Sequence, residues 1–183
     1  MMPERRGRIR RDPIPFRIGC GFDLHPFGAG RPLVLGGVRV PGGRGLHGHS
    51  DADVLAHAVC DALLGALGLP DMGVRFPATD ARHRGRSSFV FLRDVMKEVR
   101  VRGFSVGNVD AVLLAETPRL RAHLGAMRRN LARTLGCAAS DVAVKAKRGE
   151  GLGAIGRGEG MAAQAVVLLA RAPAPRRRGR RAV

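Results

Sequence analysis

The hydrophobic pattern divides the chain into strand-like and helix-like runs. Phe16 to Leu24 reads as a strand, and Leu33 to Val40 as a short hairpin broken at Gly36 and Gly37, after which Pro41, Gly42 and Gly43 form a turn. From Val54 the spacing becomes helical, with Leu55, Ala58, Ala62 and Leu63 as apolar packing. This predicts a first helix from about Asp51 to Leu67, capped by Ser50 or Asp51 and stopped by Gly68 and Pro70. A loop, Asp71 to Asp80, and a basic stretch lead to a second helix capped by Ser87 or Ser88. In that helix Val90, Phe91, Val95 and Val99 face a core, and Gly103 ends it. Phe104 to Ala115 alternates and then turns fully apolar from Ala111, as a strand buried on both faces does. Pro118 starts a third helix, in which Leu120, Leu124, Met127, Leu131 and Leu135 form one apolar face before Gly136 closes it. Val142 to Lys147 and Met161 to Ala170 are further strands. The order predicts an α+β fold with a mixed four-stranded sheet plus a short hairpin and helices packed on one face. It is not doubly wound.

Composition narrows the partners. At 183 residues and 45% apolar, the chain can bury one core without disulfides. The net charge of +17 is concentrated at the ends: residues 1 to 17 hold six Arg and two acids, and residues 171 to 183 hold six Arg and none. Residues 1–15 and 173–183 are therefore expected as disordered basic tails around a domain at 16–172. With no Trp or Tyr and seven Phe, stacking platforms for single strands are scarce, so no specific nucleic-acid reader is expected. Tail attraction to RNA would be non-specific and salt-sensitive. Three cysteines without a Cys-x-x-Cys pair argue against a disulfide framework and fit a reducing cytoplasm. No apolar run reaches the ~18 residues of a membrane span, and no secretory signal is evident.

The candidate chemistry begins at Asp23 and His25, which share a strand face because successive side chains alternate. His57 on the following helix supplies a third ligand, and two imidazoles with one carboxylate suit zinc. Three protein ligands leave the fourth position open, as in a catalytic site. Asp53, His57 and Asp61 lie at helical spacing on one stripe, so a buried histidine satisfied by Asp53 or Asp61 is the competing reading. Gly149 to Gly160 contains a formal Gly-x-Gly-x-x-Gly, but a strand rather than a helix is expected after it, which excludes a dinucleotide fingerprint. With Lys145, Lys147, Arg148 and Arg157 beside it, the loop suits phosphate oxygens or is a plain flexible hairpin. Glu150 could hold a second hard cation.

Taken together, Arg17 to His25, His49-Ser50-Asp51-Ala52-Asp53 through His57, Asp71-Met72-Gly73 with Phe76-Pro77, and Gly156 to Gly160 resemble the 2-C-methyl-D-erythritol 2,4-cyclodiphosphate synthase family over about residues 17 to 170. The resemblance implies a non-mevalonate isoprenoid enzyme, a homotrimer with sheets lining its centre and active sites between subunits. The implied reaction closes the cytidine-diphosphate derivative of phosphorylated methylerythritol to a cyclic diphosphate and CMP. Asp23, His25 and His57 would hold zinc, and magnesium or manganese would be bridged by substrate phosphates and Glu150. His49 and Ser50 would touch the phosphates, with His49, Arg148 and Glu150 as the catalytic set. Asp71, Gly73, Phe76, Thr79 and Asp80 would meet the methylerythritol end. Ala115, Pro118 and Arg121 with Lys147, Arg148 and Glu150 would line the cytidine pocket, with Ala154 and Arg157 as further substrate contacts. Phe22, Arg157 and Glu159 would ring a central cavity able to take an isoprenoid phosphate.

The chain departs from the usual family pattern where Lys147 and Arg148 replace hydroxyls, Ala78 replaces an acid, and Ala154 replaces a Phe. Two other functions fit parts of the pattern: a zinc phosphohydrolase using water, and an RNA or isoprenoid-phosphate binding module with a vestigial site.

Overall fold

The computed structural model describes residues 14–171. The expected disordered tails lie outside the described residues, apart from Ile14 and Pro15. Strands β1 (Phe16–Leu35) and β2 (Val38–Leu46) are followed by helices α1 (Val54–Ala66), α2 (Met72–Arg75) and α3 (Ser88–Val101). Then come β3 (Phe104–Leu114), α4 (Leu124–Leu135), β4 (Val142–Lys147), the single turn α5 (Gly153–Gly156) and β5 (Gly160–Arg171). The sheet is mixed and five-stranded, in the order β2-β1-β5-β3-β4, with only β3 and β4 parallel.

The fifth strand corrects the expectation of four strands plus a separate hairpin. β1 pairs with β5 from Phe16 to Pro26 and with β2 from Phe27 to Leu35, so one strand belongs to both. Register shifts around Pro32 absorb the change of partner.

One face of the sheet carries α1, α3 and α4, and the hydrophobic core lies between. On β1 the inward positions are Gly19, Gly21, Asp23 and His25. A Cβ at Gly19 would sit 1.9 Å from the Ala62 carbonyl oxygen, and one at Gly21 2.0 Å from that of Ala58. Glycine is needed at both because the helix backbone lies directly on the strand backbone. The small residues Ala58, Ala62 and Ala66 repeat at i+4 along that seam.

The first helix starts at Val54, not Asp51, because neither Ser50 nor Asp51 caps it. Asp53 does: its carboxylate accepts the Ala56 N–H at 3.1 Å and those of Gly36 and Gly37 at 2.8 and 2.7 Å. The cap thereby fastens the β1–β2 turn to α1. Burial pushes the Asp53 carboxyl up to about 6, against the opposing pull of those three N–H groups. The second helix is capped by Ser87 as expected, with Val90 only half-buried. The third helix begins at Leu124 rather than Pro118, which stands in the preceding loop after a cis peptide bond. β3 is also less enclosed than its apolar run suggests: Ala111 and Leu113 are buried, whereas Val112 and Leu114 are half-buried. They point to the helix-free face, where Phe16, Ile18, Phe22, Leu24 and Val166 are exposed.

Candidate metal centre

Strand alternation and the glycine seam bring three candidate ligands together. Asp23 and His25 follow Gly21 on the face under α1, and His57 precedes Ala58 on the helix that the seam draws close. The Asp23 Oδ2 lies 2.9 Å from His25 Nε2 and 2.9 Å from His57 Nδ1, and the two nitrogens are 3.1 Å apart. The side chains are 24%, 19% and 14% exposed, respectively, so the cluster is sheltered but open on one side. A tetrahedral zinc with bonds of about 2.0–2.1 Å separates its ligand atoms by about 3.3 Å. A small outward relaxation of the three donors therefore accommodates the ion. The donor set fits zinc in kind as well as in spacing.

Burial alone would raise the Asp23 carboxyl, but the hydrogen bonds and charge of His25 and His57 outweigh it and hold the group well below the usual carboxylate range. Burial likewise depresses His57, and the hydrogen bond and charge of Asp23, helped by Asp53 and Asp51, reverse the sign and raise it. Asp53 and Asp61 do not satisfy the His57 ring; Asp53 is the helix cap, and Asp61 accepts the Met72 N–H at 2.8 Å. The ring instead meets Asp23 through Nδ1 and Ser88 through Nε2 at 2.8 Å.

The cluster forms one wall of a cleft of about 260 Å³, shared with His49, Ser50, Asp61, Met72, Gly73, Phe76, Ala78, His83 and Phe91. Phe76 packs on Phe91 and His83, with centroids 4.8 and 5.8 Å away, giving the far wall an aromatic lining. His49 is anchored through Nε2 to the Asp80 carbonyl oxygen at 3.1 Å.

The family model described as YgbB matches residues 16–170. The chain belongs to the YgbB family. A relative in Bordetella petrii, named 2-C-methyl-D-erythritol 2,4-cyclodiphosphate synthase, is 54% identical over 159 residues, covering 87% of this chain and 98% of that one. A Desulfosudis oleivorans relative of the same name is 56% identical over 153 residues, covering 84% and 91%. A solved synthase structure titled as the CDP-bound form aligns with a TM-score of 0.77 at 41% identity, covering 84% of this chain and 99% of that one. The bifunctional IspDF of Campylobacter jejuni aligns with a TM-score of 0.82 at 43% identity; the match covers 85% of this chain but only 42% of that longer one.

Other expected residues of this YgbB-family chain fall in two places. Ala115, Pro118, Arg121, Lys147 and Arg148 line a second cavity of about 170 Å³ together with Glu116, Arg119, Leu120 and Ala146. Glu150, Ala154 and Arg157 line neither cavity. Arg157 pairs with Glu159 at 2.6 Å, Lys145 with Asp110 at 2.6 Å, and Arg148 with Glu116. Glu116 also accepts the N–H groups of Gly149 and Glu150, both at 3.1 Å. The first two amides of the loop and three of its four neighbouring cations are thus already engaged by carboxylates. The last four residues of its Gly-x-Gly-x-x-Gly form the one-turn α5, and β5 comes next, so no dinucleotide helix follows the motif.

In the loop expected to meet the methylerythritol end, Gly73 and Phe76 reach the first cleft, whereas Asp71 caps α2 and Thr79 is exposed. The Asp80 carboxylate is held by Arg82, which also lowers its pKa. The Ser50 hydroxyl faces His57 Nε2 and Ser88 Oγ, both at 3.2 Å, and so stands behind the histidine. Sequence reasoning missed Ser88, His83 and Arg31, whose guanidinium donates to the carbonyl oxygens of Gly48 and Ser50 on either side of His49. Ser88 looked like a helix cap, and nothing local marks the other two.

Proposed function

We propose that this chain is a metal-dependent cyclodiphosphate synthase. It converts 4-diphosphocytidyl-2-C-methyl-D-erythritol 2-phosphate to 2-C-methyl-D-erythritol 2,4-cyclodiphosphate and CMP. The observation that carries the reading is the convergence of Asp23, His25 and His57 on one point at the wall of a cleft, in a chain 54% identical to a relative with that name. Asp23, His25 and His57 would hold zinc and Glu150 would help hold magnesium or manganese, and the cations would supply positive charge that offsets the repulsion between phosphates.

The protein's own residues position the reacting groups. An oxygen of the 2-phosphate forms a bond to the β-phosphorus, the bond from that phosphorus to the bridging oxygen breaks, and CMP departs with the electron pair. No protein nucleophile is consumed, so preorganisation is the main contribution, with on the order of 7–11 kcal/mol available from holding both groups in line. His49, anchored by Asp80, steadies the phosphates from the cleft rim, and Phe76, Gly73 and the aromatic wall exclude water around the methylerythritol end. Lys147 and Arg148, at the second cavity, serve the nucleotide phosphates, with Ala115, Pro118 and Arg121 around the base.

The functional unit in this reading is a homotrimer. Its support is the exposed apolar face of the sheet, with Ile18 64% and Phe22 57% exposed, which three copies would bury around a common axis. Sites between subunits would bring one copy's nucleotide cavity and Glu150 to another's metal cleft. A central cavity ringed by Phe22, Arg157 and Glu159 would suit an isoprenoid phosphate. Among the described residues no helix is long and apolar enough to cross a membrane.

The test is incubation of the zinc-loaded protein with the cytidine-diphosphate substrate and magnesium, followed by CMP release and phosphorus NMR. The expected result is stoichiometric CMP with a cyclic diphosphate. Absence of CMP, or a linear hydrolysis product in its place, would overturn the reading, the latter in favour of a phosphohydrolase.

A further inference from the structure

Behind the cleft, on the side of His57 away from Asp23 and His25, lies a second set of polar groups. Ser88 opens α3 and is 0% exposed. Its Oγ is 2.8 Å from His57 Nε2 and 3.2 Å from Ser50 Oγ, and it also hydrogen-bonds Asp51 Oδ1. The Ser88 backbone N–H donates to the same Asp51 oxygen at 3.0 Å. Asp51 is held in turn: its own N–H donates to the Arg86 carbonyl oxygen at 2.9 Å, and its carboxylate accepts the Asp53 N–H at 3.3 Å.

The direction of each bond follows from what the groups can do. An imidazole that offers the Nδ1 lone pair to a cation must carry its proton on Nε2. That N–H requires an acceptor, and the nearest is Ser88 Oγ. A hydroxyl accepts cleanly there only if its own proton points elsewhere, and Asp51 Oδ1, which also accepts the Ser88 backbone N–H, takes it. The Ser88 N–H on the same oxygen fixes the carboxylate relative to the hydroxyl, so the chain of donors runs one way. An acceptor that draws on Nε2–H also makes the opposite nitrogen a stronger ligand.

Resting on the reading of Asp23, His25 and His57 as a cation site, we infer that Asp51 and Ser88 are positioning residues that fix His57 in its Nδ1-ligating tautomer through an Nε2–H to Ser88 to Asp51 relay. They touch neither substrate nor ion. Their contribution is to ligand orientation and basicity, and it appears in metal affinity before it appears in turnover.

The experiment measures zinc affinity by competition with a chromophoric chelator in the parent, Ser88→Ala and Asp51→Asn. It is paired with nitrogen-15 NMR of the histidine rings in the parent, apo and zinc-loaded. Outer partners of metal-bound histidines typically contribute about 10- to 100-fold in affinity. Both variants are expected to bind zinc about 10- to 100-fold more weakly, and zinc-loaded parent His57 to show its proton on Nε2. If the parent binds zinc and both variants bind it equally well, the relay is wrong while the cation site stands. A His57 proton on Nδ1 in the zinc-loaded parent overturns the relay without any variant. A parent that binds no zinc overturns the cation site and the relay together.

Discussion

Replacing Gly21 by alanine should pull the cation site apart without altering any of its ligands. Gly21 stands two residues before Asp23 on β1, and an alanine methyl there would meet the Ala58 carbonyl oxygen at 2.0 Å and the Ala62 nitrogen at 2.5 Å. Both are backbone atoms of α1, so no side chain can swing aside. Restoring an ordinary contact of about 3.5 Å parts strand and helix by about 1.5 Å. His57 immediately precedes Ala58, and its Nδ1, now 2.9 Å from Asp23 Oδ2, moves with the helix. Metal sites tolerate only about 0.2 Å in ligand distance. Overpacking costs about 1–3 kcal/mol, and more where backbone blocks relief. Urea unfolding should report a loss of about 3 kcal/mol or more, and the protein that still folds should bind zinc about 100-fold more weakly. Gly65→Ala is the control, because Gly65 is exposed on the same helix and its methyl comes no nearer than 3.7 Å to the Cys20 carbonyl oxygen. That change should gain up to about 1 kcal/mol from helix propensity. A Gly21→Ala protein with parental stability and zinc affinity would refute the claim that the bare seam sets the site.

Two further outcomes follow from buried polar contacts. With its pKa raised to about 6 from 3.8, Asp53 keeps a proton in the fold between those pH values that the unfolded chain has released. Its contribution to stability therefore falls as pH rises through that window, by on the order of 3 kcal/mol, and is level above it. Asp53→Asn should flatten this segment in denaturant titrations across pH; an unchanged slope would contradict the assignment. Arg31 donates to the carbonyl oxygens of Gly48 and Ser50, on either side of His49. Arg31→Ala should lower turnover about 10- to 100-fold by loosening His49 while leaving zinc content intact, and parental turnover would remove Arg31 from the account.

The convergence of Asp23, His25 and His57 was legible because its geometry is local. Strand alternation alone puts Asp23 and His25 on one face, and helical spacing orients His57. Asp53 was misread for the opposite reason: i,i+4 spacing places it on the His57 stripe, yet its partners are Gly36 and Gly37, which no local period reveals. Ser88 is the same case, since its link to His57 spans 31 residues. β1 looked like two elements, Phe16 to Leu24 and the start of a hairpin at Leu33, whereas the strand runs on through Pro26, Gly28, Gly30 and Pro32 as it exchanges β5 for β2. The four-residue α2 is too short to show a helical period.

The most direct measurement is calorimetric titration of zinc into chelator-stripped protein, with His57→Ala alongside. One zinc per chain is expected for the parent and loss of that site in His57→Ala, with both proteins folded. A parent that takes up no zinc, or a His57→Ala protein that binds it as tightly, would contradict the central claim that Asp23, His25 and His57 hold a common ion.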